Sequence, residues 1–196
     1  MEKGTFDLIK GAALASTALL LILVSPLIAT SDKKHNHNTV KVENGWKEFY
    51  SVPGKCTMKF PAKPEHFTEK MSVPEEGYEL KYDAYISSMD KQTVFMLLIA
   101  QYPDFVDETY AQMSLESFLN GILRNNPGNQ LIFADLTLVN GHEALDFFIR
   151  TGSMYFKGRA MMVKNSLYLM AMECEVQAYD ESPYNAFVNS FTLGSK

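Results

Sequence analysis

The sequence predicts an α/β chain of the α+β kind: one antiparallel sheet of about six to seven strands sandwiched between helices, with a hydrophobic helix ahead of it. Three observations carry that expectation. Short segments alternate apolar and polar residues with the period of two that half-buries a strand. Asn140-Gly141 stands between two such segments, and both residues accept the positive φ of a type I′ hairpin turn. Two stretches, around 107–128 and 182–191, repeat apolar residues with helical period instead.

The strands follow in order. "KCTMKF" sets Cys56, Met58 and Phe60 on one side against Lys55, Thr57 and Lys59 on the other, and Pro61 and Pro64 end it. "YELKYDAYI" (78–86) alternates in the same way. "TVFMLLIAQY" (93–102) is apolar on both sides and reads as a central strand covered above and below. A helix over 107–128 then puts Ala111, Leu115, Phe118, Leu119 and Ile122 on one stripe, with Asp107 as its cap and Asn126-Pro127-Gly128 as its end.

Counting outward from Asn140-Gly141 pairs Val139 with His142, Leu136 with Leu145, and Ile132 with Ile149. Asp135 then faces Asp146, which costs stability unless a cation lies beside them. With Gly152-Ser153 as the next turn, Arg159 falls beside Asp146. "MYFKGRAMMV" (154–163) turns at Asn165-Ser166 into "LYLMAMECEV" (167–176). Ser182 as cap and Pro183 at the first position open a closing helix with Tyr184, Phe187, Val188 and Phe191 on its buried stripe.

The rest of the chain is organised differently. Residues 11–29 form an uncharged apolar run, long enough as a helix for a hydrocarbon core of roughly 30 Å. Segment 1–30 is read as a signal-anchor or a cleaved signal peptide. Segment 31–45 is read as a polar tether, and 46–196 as a single domain. The expected location is membrane-anchored with an extracytoplasmic domain, or secreted or periplasmic if the signal is cleaved. Lysines flank the run on both sides, so the charge rule does not choose an orientation.

Composition removes some functions. Net charge is −5 and no Lys/Arg cluster is present, which argues against a nucleic-acid partner. No Gly-x-Ser-x-Gly elbow occurs. His35 and His37 lie in the tether, His66 in a proline-flanked loop and His142 at a hairpin tip beside Glu143, and none is set by the sequence beside a nucleophile. Of the 11 methionines, Met58, Met96, Met113, Met154, Met162 and Met170 fall at strand or helix positions that read as core, which argues against a copper-binding pattern. No metal or cofactor is expected.

Two constellations remain. The row Asp135, Asp146 and Arg159 is read first as a structural ion pair, with a cation or ligand site and paired-carboxylate catalysis as alternatives. Cys56 and Cys174 are a candidate disulfide, with two separate buried thiols as the alternative, because nothing in the sequence sets their distance.

The lead strand "GKCTMKFPAKP", the long helix, the Asn-Gly hairpin and the closing "FVNSFTL" helix stand in an order that resembles the Mog1/PsbP/DcrB-like superfamily over about residues 46–193. That resemblance implies a small, exported or membrane-tethered accessory or binding subunit, mostly non-enzymatic, and no family functional motif maps onto this chain. The expected function is a non-catalytic module supporting another envelope or membrane protein. A small-ligand or lipid binder, or an enzyme using the Asp135/Asp146 row, are the alternatives.

Overall fold

The computed structural model describes residues 45–73 and 78–194; the side chains of 71–73 are outside the description. The apolar run 11–29 and the tether, up to Asn44, lie outside the described residues. Among the described residues no helix is long and apolar enough to cross a membrane.

A small sheet comes first: β1 (Lys47–Ser51) and β2 (Cys56–Phe60), joined later by the short β10 (Thr192–Leu193) on the other side of β2. The large sheet contains β3 (Glu65–Val73), β4 (Tyr78–Ser88), β5 (Thr93–Gln101), β6 (Asn129–Val139), β7 (His142–Thr151), β8 (Met154–Val163) and β9 (Ser166–Glu175). Its spatial order is β3-β4-β5-β9-β8-β7-β6, and every neighbouring pair is antiparallel. Two meanders, β3-β4-β5 and β6 to β9, therefore meet along β5 and β9.

Helix α1 (Ala111–Asn125) carries the chain from β5 to the far edge of the sheet and lies on β6, β7 and β8. Asp107 accepts the Thr109 N–H at 2.9 Å and caps a 3-10 turn, Glu108–Tyr110, that feeds into it. The expected stripe is buried in full: Ala111, Leu115, Phe118, Leu119 and Ile122. They meet Leu98, Leu145, Phe147, Ile149, Met162 and Leu169 in one core.

The opposite face is covered by the small sheet and by α2 (Glu181–Asn189). This corrects the expectation of helices alone on both faces. Cys56, Met58 and Phe60 point into that second core as their alternation requires, against Phe95, Leu97, Met170, Met172 and Phe187. Trp46 closes it edge-on against Phe95 and Phe187, with ring centroids at 5.1 and 6.3 Å. Buried hydroxyls tie the two sheets together. Ser51 donates to the Tyr85 hydroxyl at 3.0 Å, and the Tyr168 hydroxyl donates to the Gly54 carbonyl at 2.9 Å.

Several boundaries differ from the sequence reading. Asp180, not Ser182, caps α2: its carboxylate accepts the Ser182 N–H at 2.9 Å, so the helix begins at Glu181. The β8–β9 turn is Lys164-Asn165, with Val163 paired to Ser166 and Lys164 at φ 54°. The Asn140-Gly141 hairpin has the expected register from Val139–His142 through Asp135–Asp146. Beyond it the register shifts between Leu131 and Phe133, so Leu131 rather than Ile132 stands opposite Ile149. The extra residue bends the strand at that point.

Gly158 shows how tightly the first core is filled. A Cβ there would sit 2.5 Å from Cζ of Phe147, a fully buried ring against α1. Gly158→Ala is expected to cost about 1–3 kcal/mol, the usual range for overpacking. Urea unfolding with an unchanged slope and a lower midpoint is the expected result; an unchanged midpoint would show that the Phe147 ring moves aside freely.

Candidate functional site

The predicted row forms on the sheet face that carries α2. Asp135 on β6 stands opposite Asp146 on β7, which stands opposite Arg159 on β8. Arg159 donates to both carboxylate oxygens of Asp146, Nε to Oδ1 at 2.6 Å and Nη2 to Oδ2 at 2.7 Å. The two parallel bonds match the planar fork of a guanidinium to a carboxylate. The hydrogen bonding to the Asp146 carboxylate holds the guanidinium above its ordinary range, outweighing its partial burial. Asp135 is brought into the row but is solvent-exposed and makes no hydrogen bond or ion pair among the described residues.

Beside the row lies a group that sequence reasoning missed. Lys157 alternates with Arg159 on β8, so it shares this face, and it is only 7 % exposed. Its ammonium donates to Glu181 Oε1 at 2.5 Å and to the Tyr179 hydroxyl at 3.1 Å. Four aromatic rings surround it, with centroids at 4.8 Å (Tyr184), 5.4 Å (Phe148), 5.8 Å (Tyr179) and 5.8 Å (Phe133). Burial pushes the ammonium pKa down, but the hydrogen bonds and charges of Glu181 and Tyr179 outweigh it, and the net shift is upward. The lysine is thus held as a cation in an aromatic cage of its own chain, fastening the start of α2 to the sheet. The signal was present in "MYFKGRAMMV": a lysine two residues from Arg159 must point to the same covered face.

A second polar cluster sits near the opposite edge. His66 is on β3, not in a loop, and Asp83 on β4 is 4 % exposed. Asp83 Oδ1 accepts from Thr68 Oγ1 at 2.6 Å and lies 2.8 Å from His66 Nε2, while Lys81 Nζ is 4.0 Å from Oδ2. The His66 ring stacks on Tyr85 at 4.3 Å. These contacts hold a buried carboxylate on the sheet face. His142 pairs with Glu108 at 3.0 Å rather than with its neighbour Glu143. The same Glu108 oxygen accepts the Lys164 N–H, so it pins two hairpin turns to the start of α1.

Cys56 and Cys174 are separate free thiols, each fully buried in the second core. Burial pushes Cys56 up to about 12; burial, with Glu173 and Asp90 nearby, pushes Cys174 up to about 11. Neither thiol is poised for nucleophilic or redox chemistry, which proceeds through the thiolate. Glu173, on the α1 face of β9, has its carboxyl raised by burial and lies on the opposite face from the Asp146–Arg159 pair. Among the described residues no group of three or more His, Cys, Asp or Glu side chains gathers as a metal site.

Comparison with known proteins follows from this architecture. No protein-family model matches the chain, and no curated protein does. Among solved structures, a cyanobacterial PsbP (CyanoP) from Synechocystis sp. PCC 6803 superposes at a TM-score of 0.55 with 12% identity, covering 86% of this chain and 99% of that one. The fold is therefore PsbP-like. A crystal structure from Bacteroides thetaiotaomicron VPI-5482 aligns at a TM-score of 0.43 with 9% identity, over 76% of this chain and 49% of the other, which is too low to define a shared fold. The PsbP part of the sequence resemblance is supported; nothing in the comparisons bears on Mog1 or DcrB.

Two results are expected. Arg159→Met leaves Asp146 half-buried and unpaired opposite Asp135, and should cost about 1–3 kcal/mol, less than for a fully buried pair because both groups retain some solvent. Adding Asp146→Asn should recover more than half of that loss in urea unfolding; no recovery would reject the structural ion pair. At pH 8 the native protein should resist iodoacetamide, and urea without reductant should expose two alkylatable thiols by intact mass. No adducts in urea would instead reveal a Cys56–Cys174 bridge.

Proposed function

We propose that this protein is a non-catalytic binding or accessory module that supports another envelope or membrane protein. The domain stands on the extracytoplasmic side of a membrane and is tethered to it through residues 11–29. The reading rests chiefly on the contrast between the two edges of the large sheet. Among its described side chains, the β3 edge carries Glu65, Glu69 and Lys70, the kind of charges that blunt an open edge, around one exposed large apolar residue, Phe67. The β6 edge exposes Leu131, Ile132, Phe133, Leu136 and Leu138 along one strand, with Leu138 66 % exposed. Apolar side chains gathered on an open edge mark a place where another chain is received.

The chemistry of the row supports the same reading. Asp146 is fully engaged by Arg159, and the cage beside it is filled by the chain's own Lys157. The PsbP-like fold adds agreement at the level of architecture only.

Photo-crosslinking in the native cell tests it. A photoreactive amino acid replacing Leu138 should give a discrete adduct with one envelope protein, and the same substitution at Lys70 on the other edge should give none. Equal labelling from both edges, or no adduct from any surface position, would reject the proposal.

A further inference from the structure

Asp135 is the single charged residue of β6 and stands in a row whose only cation is already committed. Arg159 spends Nε and Nη2 on Asp146. The next residue along that row, Met170 on β9, is apolar. One carboxylate therefore faces another across β6 and β7, and the guanidinium on the inner side is bonded to Asp146 and not to Asp135. Like charges opposed across strands are destabilising, and a cation on the outer side, where a further strand would sit, would add to the relief that Arg159 and solvent already give.

The backbone there is available. β6 is the last strand of the sheet, and among the described residues nothing pairs with its outer side. Past the register shift at Leu131/Phe133 the strand runs regularly from Phe133 to Val139. Along that run Phe133, Asp135 and Thr137 share one face while Ala134, Leu136 and Leu138 share the other.

Resting on the accessory reading above, we infer that β6 receives an extended segment of its partner protein as an added strand, and that this segment carries a Lys or Arg opposite Asp135 and, one and three positions further along, apolar residues that lie beside Leu136 and Leu138. A second copy of this chain fits less well. Its β6 would bring no cation, only another Asp135, to the edge. A partner cation completes the row as carboxylate between cation and carboxylate, while main-chain bonds supply affinity and the leucines select apolar side chains.

The test uses the full-length protein in detergent and fluorescent nine-residue peptides that alternate Thr and Val around a central Lys. A second peptide carries Glu in place of that Lys, and a third keeps Lys but has alternate backbone nitrogens methylated. The Lys peptide should bind about two- to thirtyfold tighter than the Glu peptide, since each matched or clashing cross-strand pair is worth a few tenths to one kcal/mol. The Asp135→Lys protein should reverse that order, and the methylated peptide should not bind. Equal affinities for Lys and Glu peptides, or undiminished binding of the methylated one, would overturn strand addition. So would sedimentation showing that the protein is a dimer whose β6 excludes the peptides. If the peptides fail while crosslinks from Leu138 persist, strand addition falls and the accessory role stands; if both fail, both fall.

Discussion

The pairing of β5 with β9 is the constraint from which the rest of the architecture follows. Thr93 through Gln101 pair with Ser166 through Cys174, and both strands are apolar on both faces. A strand of that kind cannot leave either face in water, so both faces need cover. The chain meets the need unequally. On one side a single amphipathic helix, α1, lies on the sheet. On the other, α2 is too short to cover the same span, and the small sheet of β1, β2 and β10 fills the remainder. The hydroxyls of Ser51, Tyr85 and Tyr168 join the two sheets within an apolar layer, where an unpaired hydroxyl would be costly.

That division explains which parts of the fold are legible in the sequence. Elements whose periodicity matches their burial read correctly. The α1 stripe, the alternation of Cys56, Met58 and Phe60, and the two-sided run of β5 are all of this kind. So is the hairpin register, because Asn140-Gly141 anchors it locally: Asp135, Asp146 and Arg159 fall into one row as expected. β3 is not legible. "EHFTEKMSV" carries charge on both faces because it is an edge, and an edge strand lacks the apolar alternation that identifies its neighbours. Without β3, the sequence leaves His66 in a loop and gives no basis for its contact with Asp83. The bulge at Ile132 escapes for a different reason: an extra residue leaves no mark on period-two counting until the partner strand is known. Lys157 is easily overlooked because a lysine ordinarily faces solvent, although its spacing from Arg159 already places it on the covered face.

The two polar clusters at the β7–β8 end of the α2 face act as fasteners. Asp146–Arg159 offsets the charge that the hairpin register places between β6 and β7. Lys157 anchors Glu181 and Tyr179, so the start of α2 is held by a cation whose hydrocarbon stem and ammonium both lie among rings. The cysteines fit the same account. Both are fully buried in the second core, where burial disfavours the thiolate.

A sheet covered on both faces has few ways to meet another protein. Most of the apolar surface of its faces and helices is buried, with Val52, Phe105, Tyr110 and Met113 as scattered exceptions. Its backbone is open along the two edges of the large sheet, and they are not alike. β3 is defended by charge, and His66, Thr68 and Asp83 bind it side chain to side chain to β4. β6 has a bulge at one end and one carboxylate in its middle, and its exposed residues are otherwise largely apolar. A bulge and a charge set into an edge strand are ordinary defences against indiscriminate pairing. Here the charge belongs to a row that already holds a second carboxylate, so it repels a copy of itself while favouring a strand that brings a cation. The same residue then does both tasks that specificity requires: it raises the cost of the wrong partner and lowers that of the right one.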